Sequence, residues 1–131
     1  MRIVLDASAA VSAVMDDQPN VFAILDQASR VFAPYHFIAE VTNGLWKYVV
    51  LRGLPVDDAA ARLQVALRMV RTYRHVTRFA EEALREAALH RHPAYDLYYA
   101  VLARRENAAI LTIDRRLREL CVKMRIPLAH P

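Results

Sequence analysis

The chain holds one cysteine, two glycines and two lysines in 131 residues. A solitary Cys121 excludes an internal disulfide and a cysteine-based metal cluster. It reads as a small apolar residue on the last helix. Two glycines and six prolines, in a chain that is 56% hydrophobic, exclude low complexity and disorder. No apolar run approaches the roughly 18 residues of a membrane span, and Asp6 interrupts the first one. The start lacks the basic segment and long apolar stretch of a signal peptide. A cytoplasmic protein without membrane attachment is therefore expected.

What is abundant is aliphatic residues and arginine. The length suits one domain with a real core, spanning residues 1–131. Lys+Arg total 18 against 14 Asp+Glu, a net charge of +4. Only Lys47 and Lys123 are lysine, so nearly all the positive charge is guanidinium, whose planar fork suits phosphate. A basic balance favours nucleic acid over acidic substrates. Charges on a solvated helix face give the same composition, so the balance alone decides nothing.

Hydrophobic periodicity divides the chain into alternating strands and helices. Arg2–Leu5 reads as a buried strand that delivers Asp6 to its carboxyl end. Ala7–Met15 is a helix of small residues. Asn20 is expected to cap a helix over Val21–Ser29. Val31–Ala33 is a short strand closed by Pro34. His36–Arg52 is a long helix, with Phe37, Val41, Leu45, Tyr48 and Val49 as its apolar stripe and Glu40, Asn43 and Lys47 on another face. Gly53 is placed for a left-handed cap. Mid-helix Gly44 costs about 1 kcal/mol relative to alanine, so another segment is expected to pack against its backbone. Helices follow over Pro55–Arg71 and Phe79–His90, with a short strand over Tyr73–Thr77 between them. Ala94–Glu106 is a buried helix, Ala108–Ile113 a strand ending in Asp114, Arg115–Met124 the last helix, and Ile126–Leu128 a closing edge strand. This alternation predicts an α/β domain with a parallel sheet and right-handed crossovers.

Four acids stand where a solvated face would not put them. Asp6 and Asp114 end strands, Glu40 lies within a largely apolar helix, and Asp96 opens a buried one. If the two strands are neighbours, Asp6 and Asp114 lie side by side at the edge where open α/β sheets bind ligands. Each acid also has a plain role: Asp114 as a helix cap, Asp96 as a first-turn acid, Asp6 as a turn residue and Glu40 as an exposed helix residue. Carboxylates gathered together repel by roughly 4 kcal/mol per pair at ~4 Å and an effective dielectric of 20. Such a cluster shares protons or binds cations. An all-oxygen set points to Mg²⁺ or Mn²⁺ rather than zinc. Among the basic residues, Arg115 and Arg116 occupy a first helical turn, where cations are slightly disfavoured, which suggests a phosphate-steering role. Arg104 and Arg105 suit the end of their helix, and His90 and His92 read as exposed loop residues.

The segments Ile3-Val4-Leu5-Asp6-Ala7-Ser8, Glu40-Val41-Thr42-Asn43-Gly44-Leu45-Trp46-Lys47, Tyr95-Asp96-Leu97-Tyr98-Tyr99-Ala100 and Leu111-Thr112-Ile113-Asp114-Arg115-Arg116-Leu117 resemble, in order, the motifs of PIN-domain ribonucleases. They are most similar to the VapC toxins of type II toxin–antitoxin pairs. The resemblance implies a compact α/β/α sandwich around a mostly parallel sheet of four or five strands. It also implies a Mg²⁺- or Mn²⁺-dependent endoribonuclease that is homodimeric and restrained by a VapB-like antitoxin. The family's acids fall on Asp6, Glu40, Asp96 and Asp114, its supporting polar residues on Ser8, Asn43 and Thr112, and its aromatic after the third acid on Tyr99. Many relatives carry a further acid after the fourth motif, where Arg115, Arg116 and Leu117 stand here.

Three other readings compete. One is a PIN-like RNA-binding or interaction module without cleavage. A second is a haloacid-dehalogenase-type phosphatase, which usually wants an aspartate where Ser8 stands. The third is an interaction protein whose acids are only caps.

Overall fold

The computed structural model describes residues 1–130. Five parallel strands form one sheet: β1 (Arg2–Leu5), β2 (Arg30–Pro34), β3 (Thr72–Arg74), β4 (Ala109–Leu111) and β5 (Leu128–Ala129), in the order β3-β2-β1-β4-β5. Seven helices connect them: α1 (Ala7–Val14), α2 (Asn20–Gln27), α3 (His36–Arg52), α4 (Val56–Met69), α5 (Ala80–His90), α6 (Ala94–Glu106) and α7 (Arg115–Met124). Among the described residues no helix is long and apolar enough to cross a membrane.

The strand order sets the layers. From β1 through β2 to β3 the chain moves in one direction; from β3 back to β4 and on to β5 it moves in the other. Right-handed crossovers therefore put α1–α4 on one face and α5–α7 on the opposite face. The packing agrees: α1 lies against α3 and α4, whereas α6 crosses β1, β2 and β4 and packs with α5 and α7. This is the α/β/α sandwich, with five strands. The connections leave β1 and β4 in opposite directions, so the crevice beyond their carboxyl ends is the sheet's topological switch point. Ile3, Val4 and Leu5 pair with Ala109, Ile110 and Leu111. That register brings Asp6 and the Thr112–Asp114 segment to the same edge.

Central strands are apolar because helices cover both faces. Val4, Leu5, Phe32, Ile110 and Leu111 are fully buried. On α6, Leu97 and every residue from Tyr99 to Ala103 are buried, which makes this helix the centre of its layer. Each fully buried Leu contributes about 1.5–3 kcal/mol. Across the sheet, the small residues Ala9, Ala10 and Ala13 let α1 sit close. The expected neighbour of Gly44 is Val11 of α1: a Cβ on Gly44 would stand 2.9 Å from a Val11 methyl. Gly53 caps α3 at φ 71°.

Several boundaries differ from expectation. Asn20 is the first residue of α2 rather than its cap, and no side-chain bond closes that end. The strand expected at Tyr73–Thr77 is Thr72–Arg74, followed by a 3-10 turn at Val76–Arg78. Its register is set by Tyr73, whose ring stacks on Tyr35 and whose hydroxyl donates to the Leu67 carbonyl. The closing strand is Leu128–Ala129 because the Ile126 N–H is spent on the Cys121 carbonyl at the end of α7.

Candidate active site

All four acids come to the switch-point edge, and each is held by one oxygen. Asp6 directly follows β1 and is only 5% exposed. Its Oδ2 accepts from the Ser8 hydroxyl (2.5 Å) and the Thr112 hydroxyl (2.7 Å), and those two hydroxyls lie 3.1 Å apart. Thr112 is itself fixed, accepting the Asp114 N–H at 3.0 Å, while Ser8 accepts the Ile113 N–H at 3.2 Å. Ser8 and Thr112 thus lace the start of α1 to the end of β4.

Asp114 does what a helix cap does and remains at the edge. Its Oδ1 accepts the N–H groups of Arg116 (2.8 Å) and Leu117 (3.1 Å). Asp96, in the first turn of α6, meets His92 Nε2 through Oδ2 at 2.7 Å. Glu40 accepts the Tyr99 hydroxyl through Oε1 at 2.8 Å, which bridges α3 to α6. Among the described residues, the second oxygen of each of the four carboxylates takes no hydrogen bond from the protein. That leaves four unengaged carboxylate oxygens at one sheet edge, each with its partner oxygen anchored.

The placement perturbs the buried carboxyls. Burial raises the pKa of Asp6, against the opposing hydroxyl bonds, and the charges of Asp96 and Asp114 raise it further. Burial pushes Glu40 up to about 7, and Asp6, Asp96 and Asp114 add to the rise while the Tyr99 bond opposes it. No three His, Cys, Asp or Glu side chains among the described residues close on one point as a formed metal cage does. The site's donor set is four carboxylates with free oxygens, which fits a hard divalent cation such as Mg²⁺ or Mn²⁺.

Two placements differ from expectation. His90 and His92 are not exposed loop residues: their side chains are 19% and 13% exposed, and they pair with Glu86 and Asp96. Glu40 is held by Tyr99, and Asn43, which could hold Glu40 or touch a phosphate, lines with Glu40 a cavity of about 440 Å³. His36 was not singled out by pattern at all. Its Nε2 lies 3.3 Å from Glu40 Oε1 but is misaligned for a hydrogen bond, so both buried ring nitrogens lack a partner. The signal was available in the spacing. His36 and His92 each stand four residues before an acid; His36 is one turn from Glu40 on the same face of α3, and His92 lies just before α6 and reaches Asp96 in its first turn.

Of the basic residues, Arg104 and Arg105 bind Glu82 and Glu86 and tie α5 to α6. Arg115 is exposed and pairs with Glu119 at 3.0 Å, and Arg116 is exposed beside Asp114. Cys121 is buried, and burial pushes its thiol up to about 12, so it packs as a hydrophobe.

A five-stranded parallel α/β sandwich with four carboxylates gathered at its switch point defines a class, and the chain belongs to it: it is a member of the PIN domain family, whose model matches residues 3–123. Among its relatives is Ribonuclease VapC3 of Pyrobaculum aerophilum, 31% identical over 124 residues, covering 91% of this chain and 94% of that protein. The crystal structure of PAE2754 from Pyrobaculum aerophilum superposes with a TM-score of 0.73 at 22% identity, covering 92% of this chain and 79% of that one. VapBC2 from Rickettsia felis, solved bound to a DNA fragment from its promoter, aligns with a TM-score of 0.68 at 16% identity over 98% of both chains.

Proposed function

We propose that the protein is a metal-dependent endoribonuclease, the toxin of a type II toxin–antitoxin pair. The observation that carries the chemistry is the set of four carboxylates, each anchored through one oxygen and free through the other. Membership of the PIN family and likeness to a ribonuclease VapC support RNA as the substrate. Asp6, Asp96 and Asp114 would hold a Mg²⁺ or Mn²⁺ ion, with Glu40 completing the set. When bound, such an ion would supply Lewis-acid charge against the negative charge that builds on the phosphate. Glu40 would orient the attacking water and accept its proton. The water oxygen bonds to phosphorus and the bond to the 3′ oxygen breaks; that oxygen takes a proton from solvent, leaving a 5′-phosphate and a 3′-hydroxyl. Ser8 and Thr112 keep Asp6 pointed, and exposed Arg115 and Arg116 attract the RNA backbone.

A VapB-like antitoxin and a second copy of the chain are the proposed protein partners. Purified wild type should cleave RNA with Mg²⁺ or Mn²⁺, and Asp6→Asn, Asp96→Asn or excess EDTA should abolish it. Undiminished cleavage in any of the three would refute the mechanism. RNA binding without cleavage by the wild type would leave a non-cleaving RNA-binding module.

A further inference from the structure

The cavity beside the acids has a polarity that the four carboxylates do not explain. It is about 440 Å³ and lies between α1 and α3, with Ser8, Val11 and Ser12 along one side and Glu40, Asn43 and Lys47 along the other. Those last three recur at i, i+3 and i+7, one continuous helix face. At 1.5 Å per residue, Lys47 stands roughly 10 Å along the helix from Glu40. The wall therefore runs from a carboxylate, past an amide, to an ammonium. Among the described residues Lys47 pairs with no carboxylate. Asp17, the other acid on the rim, receives the Tyr48 hydroxyl at 3.4 Å. Arg52 adds a second cation at that end, its guanidinium 5.3 Å above the Tyr48 ring.

We propose that this cavity is a subsite for the nucleotide next to the cleaved bond, with Lys47 holding that nucleotide's phosphate and Asn43 donating to it. The inference rests on the ribonuclease reading and adds a place and a direction for the strand. RNA leaves the carboxylates along α3, toward its carboxyl end. One phosphate contact has a defined signature. Each cation–phosphate contact contributes about 0.7 to the slope of log affinity against log salt for a single strand. Arginine, being also cationic, preserves it.

The test uses full-length Asp6→Asn protein and a fluorescent single-stranded RNA, titrated at several KCl concentrations and a fixed, low Mg²⁺ concentration. Lys47→Gln should weaken binding about five- to tenfold at low salt and flatten the slope by about 0.7. Lys47→Arg should restore both, and Lys47→Glu should weaken binding further. Lys123→Gln removes the same charge from the far end of α7 and serves as the control; it should leave the slope in place. An unchanged slope in Lys47→Gln, or an equal loss in Lys123→Gln, overturns the subsite. If the Asp6→Asn protein binds no RNA and the wild type cleaves none, the ribonuclease reading falls and the subsite with it.

Discussion

Replacing Asp6 by asparagine should stabilise the metal-free protein while destroying its activity. Asp6 is 5% exposed and faces the charges of Asp96 and Asp114. Burying an ion costs several kcal/mol after relaxation. The two hydroxyl bonds from Ser8 and Thr112 return about 1.5–3 kcal/mol each because their acceptor is charged. An amide oxygen at the same place keeps both bonds at about 1 kcal/mol each but pays neither the ionic desolvation nor the repulsion. The net gain should be about 1–2 kcal/mol. At about 4 °C per kcal/mol for a chain of this size, that is roughly 4–8 °C in Tm.

The gain has a sign in pH. The Asp6 pKa is raised above 3.8 in the folded state, so the unfolded chain ionises first. Wild type is therefore penalised progressively as pH rises from about 4 through the folded pKa, and Asp6→Asn is not. Calorimetry in EDTA should show the two proteins converging below pH 4 and diverging above it. Adding Mn²⁺ at pH 7.5 should raise the wild-type Tm and leave Asp6→Asn nearly unmoved. A metal-free Asp6→Asn protein that melts at or below wild type at pH 7.5 would refute the reasoning, as would a gain independent of pH.

Glu40 should behave likewise over a different window. Its carboxyl is raised from 4.5 to about 7, so the metal-free wild type should lose stability between those pH values relative to Glu40→Gln, and parallel melting curves would contradict this. Gly44→Ala gains about 1 kcal/mol of helix propensity but drives a methyl to 2.9 Å from Val11, which is β-branched and stiff; overpacking of about 1–3 kcal/mol should win. Val11→Ala should relieve that clash. In a double-mutant cycle, Gly44→Ala should therefore cost less in the Val11→Ala background than in wild type.

Much of the fold was legible because its signals are local. Buried apolar runs at Ile3–Leu5 and Ala109–Leu111, the apolar faces of α3 and α6, and Gly53 after α3 each announce an element within a few residues. Boundaries that depend on distant partners were not. The Thr72–Arg74 strand is set by Tyr73 against Tyr35, and the Leu128–Ala129 strand by what Ile126 gives to α7. The scarcity of glycine also has a structural counterpart. Helices α5, α6 and α7 end on Arg91, Asn107 and Arg125 in the left-handed region, which costs non-glycine residues roughly 1–2 kcal/mol each.

By itself the chain nominated the candidate residues: acids at two strand ends, at one helix start and within one apolar helix, with Ser8 and Thr112 at fixed offsets from two of them. Side-chain type and local spacing suffice for that. Tertiary structure alone decided how the acids are poised. Strand order makes β1 and β4 neighbours, and only that adjacency lets Thr112 reach Asp6 across 106 residues. The packing of α3 against α6 assigns Glu40 to Tyr99 rather than to Asn43. Burial then raises the pKa of Asp6 and of Glu40, because desolvation and mutual repulsion depend on distances that no pattern along the chain encodes.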